Sequence, residues 1–140
     1  MDINKLVGQL IKKYGTSNPY KIAGQLKIAI VFEPLGSIYG YYSRTHRTKV
    51  IHINEAVTER KQLFTCAHEL GHAILHQDVN TPFLKKHTFF STDKIEVEAN
   101  TFAVELLCRK EAVDDVITVH EAIEEYGVPK QLALLKSLGK

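Results

Sequence analysis

Phe64-Thr65-Cys66-Ala67-His68-Glu69-Leu70-Gly71-His72-Ala73-Ile74-Leu75-His76 is the most informative stretch of this 140-residue chain. Apolar residues flank its polar ones on both sides and no proline interrupts it, so 58–76 reads as one largely buried helix. Within it His68-Glu69-Leu70-Gly71-His72 forms an HExxH motif. Positions i and i+4 share a helix face, one turn apart. His68 and His72 can therefore each turn a ring nitrogen to one Zn²⁺, at the ~2.0–2.1 Å such bonds take. Glu69, one residue on, stands beside the ion, within reach of a metal-bound water, where a carboxylate serves as general base. Two buried imidazoles and a buried carboxyl without a cation would be costly to desolvate.

A hydrolytic zinc site needs a third protein ligand and an open fourth position. Asp78 falls where HExxHxxGxxH sequences carry their last ligand, but Leu75 stands in place of the glycine that makes the sharp return. His76 is two turns from His68, ~12 Å along the axis, too far to share one ion with both histidines. It reads as a helix-end polar residue favoured by the C-terminal dipole. The downstream helix offers Lys94-Ile95-Glu96-Val97-Glu98-Ala99-Asn100. Glu96 and Asn100 are i and i+4, so Glu96 can bind the metal while Asn100 accepts a hydrogen bond from a ligand histidine's other ring nitrogen. Glu98 points ~200° from Glu96 and reads as a solvated charge. Glu96 is the expected third ligand.

Upstream, residues 2–14 carry apolar side chains at helical spacing, with Gly15 as a stop. Ser17 or Asn18 can cap a second helix that opens on Pro19 and runs to about 26. Three β-rich runs follow, 28–32, 38–42 and 50–53, the last two forming an antiparallel pair around the polar residues 43–49. Downstream, 77–93 reads as a loop and 94–107 as a helix with Ile95, Ala99, Phe102, Ala103 and Leu106 as its apolar stripe. A short helix over 110–117 and a C-terminal helical hairpin over about 119–140 complete the chain. The expected fold class is α+β: a small, mostly antiparallel three-stranded sheet packed against helices, including the HExxH helix, in one domain over 1–140.

Composition narrows the function classes. Hydrophobic residues make up 44% and charged residues 24%, with net charge +2; this excludes wholesale disorder and a strongly basic nucleic-acid coat. No apolar run approaches the ~18–20 residues of a membrane span, and the N-terminus lacks the character of a signal peptide. Cys66 and Cys108 are too few for a disulfide scaffold and read as small buried residues. These features point to a cytoplasmic protein. The basic tip 43–49 reads as a solvated hairpin rather than a nucleic-acid contact. The run 38–42 or 50–54 is a candidate sheet edge for an extended substrate. An oxyanion donor is expected among Tyr41, Tyr42, His46, His52, His87, His120 and Tyr126, with no spacing that selects one.

The chain resembles the ImmA/IrrE family of metallopeptidases over roughly residues 15–110. The resemblance rests on FTCAHELGHAILH (64–76), on Glu96-Val97-Glu98-Ala99-Asn100-Thr101-Phe102-Ala103 and on Leu106-Leu107. It implies a gluzincin-like site with His68, His72 and Glu96 as ligands, Glu69 as base and Asn100 behind a ligand histidine. It also implies an origin in phages, mobile elements or stress responses, and cleavage of a helix-turn-helix repressor. Leu106-Leu107-Cys108-Arg109 departs from the LLMP common in the family, without touching a proposed ligand. The reading is a zinc-dependent endopeptidase acting on a protein substrate. Its rival is a non-catalytic, zinc-containing regulatory module that binds protein or DNA; an intact Glu69 favours the enzyme.

Overall fold

A computed structural model describes residues 2–77, 83–85, 88, 91–108, 128–130 and 132. α1 (Ile3–Tyr14) starts at Asp2, whose carboxylate accepts from Lys5 N, and stops at Gly15, left-handed at φ 71°. α2 (Pro19–Gln25) is capped by Asn18 and opens on its proline. β1 (Ile28–Glu33), β2 (Gly40–Arg44) and β3 (Lys49–Asn54) form one sheet. α3 (Glu59–Leu75) carries the HExxH motif and is capped by Thr58; in α4 (Lys94–Cys108), Asp93 accepts from the Ile95 amide.

The sheet corrects the expected topology. It is mixed rather than mostly antiparallel, in the order β1-β3-β2. β2 and β3 form the expected antiparallel hairpin, but β1 pairs with β3 in parallel, from Ile28↔Lys49 to Glu33↔Asn54. The cause is burial. Ile51 and Ile53 are completely buried, so β3 takes the centre, where a strand on each side and α3 cover it. Residues 34–39 then carry the chain past β3 to the outer position of β2. Asn54 fastens that crossing, donating to the Gly36 and Ile38 carbonyls and accepting from Ala56 N. With β3 central, the run 50–54 offers no edge. β2 begins two residues later than expected, because the Tyr39 amide pairs with the Leu84 carbonyl instead. The tip between β2 and β3 is exposed, and a Thr45–Thr48 turn closes it.

α3 is the axis of the molecule. It packs on β2, β3 and α2 and, with its largest contact, on α4, against which α1 also lies. All ten residues from Phe64 to Ala73 are buried, so this helix is enclosed on every face. Two glycines set how closely its neighbours approach. A Cβ on Gly71 would lie 3.0–3.1 Å from the Phe102 side chain of α4. A Cβ on Gly40 would lie 2.5 Å from both the His52 carbonyl oxygen and Thr65 Cγ2. Cys66 and Cys108 are buried thiols outside any disulfide. The helix expected over 110–117 lies outside the described residues. Of the expected 119–140 hairpin, Val128 is buried in the core and Leu132 packs against it. Among the described residues no helix is long and apolar enough to cross a membrane.

Candidate metal centre

α3 and α4 bring His68, His72 and Glu96 together. One ligand-type atom from each lies within 4.8 Å of the others, and all three residues are buried. Glu96 Oε1 stands 3.1 Å from His68 Nε2 and 2.9 Å from His72 Nε2. The two rings meet edge to face at 4.8 Å between centroids, as the i, i+4 spacing requires. The Gly71–Phe102 contact sits between the two histidines in sequence and allows α4 to come this close.

Hydrogen bonding decides which way the His68 lone pairs point. Asn100 Nδ2 donates to the Thr88 carbonyl at 3.1 Å, so its Oδ1 faces His68 Nδ1, 2.9 Å away. An amide oxygen only accepts; Nδ1 therefore carries the ring proton. Burial, the main influence, pushes His68 below the ordinary imidazole value, with His72 adding to the effect, so the ring is neutral. Its Nε2 lone pair then faces Glu96. An imidazole lone pair directed at a carboxylate oxygen is repulsive unless a cation lies between them.

Further orphaned atoms support that reading. Among the described residues, Glu96 Oε2 and both oxygens of Glu69 are buried without a hydrogen-bond partner. Burial, with the charge of Glu96 adding to it, pushes the Glu69 carboxyl well above the usual carboxylate range. Two imidazoles and one carboxylate are the donor set of a catalytic zinc site. These side chains therefore fit a divalent cation better than they fit one another.

Two residues beside the centre differ from their sequence reading. His76, expected as a helix-end polar residue, is buried, and its Nδ1 lies 2.9 Å from His72 Nδ1. Glu98, expected as a solvated charge, lies 2.8 Å from His76 Nε2. The signal was present in the 72–76 spacing, which is again i, i+4; the partner on α4 was not visible. Asp78 lies outside the described residues, as do His87, His120 and Tyr126. Of the other candidate oxyanion donors, Tyr41 and His52 stack at 4.1 Å, and His46 is exposed at the hairpin tip. The Tyr42 hydroxyl is buried without a partner among the described residues.

The family model described as the IrrE N-terminal-like domain, a peptidase family, matches residues 23–137. An uncharacterized immunity region protein 2 of Bacillus phage phi105 is 45% identical over 143 residues, covering 99% of this chain and 90% of its own length. The metallopeptidase ImmA of Bacillus subtilis is 35% identical over 117 residues, covering 82% of this chain and 68% of its own. The radiation response metalloprotease IrrE of Deinococcus deserti is 33% identical over 119 residues, covering 79% of this chain and 41% of its own. These matches span both helices that build the His68–His72–Glu96 cluster, and the chain belongs to the ImmA/IrrE family of metallopeptidases.

Proposed function

We propose that the chain is a zinc-dependent endopeptidase that hydrolyses a peptide bond in a protein substrate, a helix-turn-helix repressor of a phage or mobile element. One observation carries the zinc reading: two buried imidazoles and a buried carboxylate converge within 4.8 Å. Beside them Glu69 keeps two buried oxygens without a partner among the described residues. The similarity to a phage immunity region protein and to ImmA supports the repressor as substrate. The reaction belongs in the cytoplasm, where such a repressor works.

In this reading His68, His72 and Glu96 hold the ion, and Asn100 orients His68. When bound, the ion supplies Lewis-acid polarisation of the scissile carbonyl and lowers the pKa of water. Glu69 takes a proton from the attacking water as the new C–O bond forms. It returns that proton to the leaving nitrogen as the C–N bond breaks.

The test incubates zinc-loaded protein with the repressor encoded beside its gene, comparing wild type with Glu69→Gln. Cleavage by the wild type alone is expected. Cleavage that survives the substitution removes Glu69 as base. Tight repressor binding without cleavage by the zinc-loaded wild type would establish the regulatory module instead.

A further inference from the structure

We propose that Glu98 and His76 form a hydrogen-bonded relay that positions His72 as a metal ligand, by fixing which of its ring nitrogens carries the proton. The proposal rests on the zinc reading of the centre and adds two residues to it. The relay runs from Glu98 Oε1 to His76 Nε2 at 2.8 Å, and from His76 Nδ1 to His72 Nδ1 at 2.9 Å. His72 Nε2 then faces Glu96 Oε1 at 2.9 Å.

With a cation between His72 Nε2 and the Glu96 carboxylate, the chain has one direction. A carboxylate only accepts hydrogen bonds, so His76 Nε2 donates to Glu98. A neutral imidazole has one donor and one acceptor, which leaves His76 Nδ1 as acceptor. The Nδ1–Nδ1 contact then requires His72 Nδ1 to donate. His72 Nε2 is left with its lone pair directed into the cluster, as metal ligation demands. In the opposite direction His72 Nε2 would hold a hydrogen and could not coordinate.

The two ligand histidines are therefore held differently. His68 leans on a neutral amide, Asn100, that is anchored to a backbone carbonyl. His72 leans on a charged group one imidazole removed. His76 is placed for this by helix geometry: it is one turn beyond His72, at the C-cap of α3, with its own amide bonded to the His72 carbonyl. The His72 and His76 rings lie 5.0 Å apart, tilted by 54°. Glu98 reaches His76 from α4, two residues after Glu96, so one helix supplies both the ligand carboxylate and the carboxylate that orients a ligand.

The experiment measures zinc affinity by competition with a chromophoric chelator, together with the ¹⁵N NMR shifts of His76 in zinc-loaded protein. Wild type is expected to bind zinc and to show His76 in the Nε2–H form. His76→Ala and Glu98→Ala are each expected to weaken zinc binding by about 10–100-fold, and Glu98→Ala to loosen the His76 tautomer. Glu98→Gln keeps an oxygen that accepts from His76 Nε2, and is expected to recover both the affinity and the Nε2–H form. Wild-type affinity in both alanine variants, with an unchanged His76 tautomer in Glu98→Ala, overturns the relay. Failure of wild type itself to bind zinc would overturn the zinc reading, a distinct result. If His76→Ala does not fold, the part-exposed Glu98 provides the deciding pair, alanine against glutamine.

Discussion

Two chains of hydrogen bonds in this molecule use the same chemical order, carboxylate to histidine to a third group. One runs Glu98–His76–His72 between α3 and α4. The other runs Glu33–His52–Ser43 across the three strands, at 2.6 and 2.9 Å. Read by residue type alone, the second resembles a hydrolytic Ser–His–Glu arrangement more than the first does. Burial separates them. Glu33 and His52 side chains are 35% and 17% exposed, whereas His76 is 6% exposed and His72 not at all. Ser43 sits part-buried within strand β2, and its hydroxyl can both donate and accept, so it closes its own chain. The inner chain ends on a nitrogen that faces another imidazole and a carboxylate, where water cannot relieve the repulsion. Similar distances thus give a surface polar ladder in one place and a demand for a cation in the other.

Several substitutions test that contrast. The largest effect is expected from Glu96→Ala, which removes the one anion of the proposed ligand set; bound zinc should fall to background by elemental analysis, and cleavage with it. Glu69→Gln should keep zinc but lower the cleavage rate by about 10²–10⁴-fold, the usual worth of a general base. Full zinc content with near-normal turnover there would break the assignment. Zinc at about 100 times its dissociation constant should stabilise the wild type by about 2.7 kcal/mol in denaturant titrations, and leave Glu96→Ala unmoved.

Gly71 lies between His68 and His72 in sequence. Gly71→Ala gains about 1 kcal/mol of helix propensity. It also brings a methyl to 3.0–3.1 Å from the completely buried Phe102 side chain, which must shift by a few tenths of an ångström, at an overpacking cost of about 1–3 kcal/mol. Net destabilisation is expected, with weaker zinc binding as α4 is pushed outward. The smallest effect belongs to the outer chain. Ser43→Ala should leave zinc content and cleavage unchanged and shift stability by no more than about 1 kcal/mol. A large loss of cleavage in Ser43→Ala would mean that this face of the sheet takes part in the reaction.

Much of the framework is local and could be read from residue order. Asp2, Asn18 and Thr58 cap the helices they precede, and Gly15 ends α1 with a positive φ. The spacing of His68 and His72 already places two imidazoles on one face of a helix. The pairing of β1 with β3 was not legible, because hydrophobic runs show that strands exist but not which one is central. Glu96 and Asn100 stood out by their own i, i+4 relation, so half of the cluster was visible before its other half was in place.

Sequence alone determined what one helical turn or one cap can determine: the elements and the paired histidines, since these depend on neighbours a few residues apart. Only the tertiary structure decided where α4 meets α3, because that depends on a missing side chain at Gly71 meeting Phe102. It likewise turned His76, expected as a helix-end polar residue, and Glu98, expected as a solvated charge, into buried or half-buried partners. Such pairings join residues more than twenty positions apart, and burial, which gives them their chemical weight, exists only once the chain has closed around them.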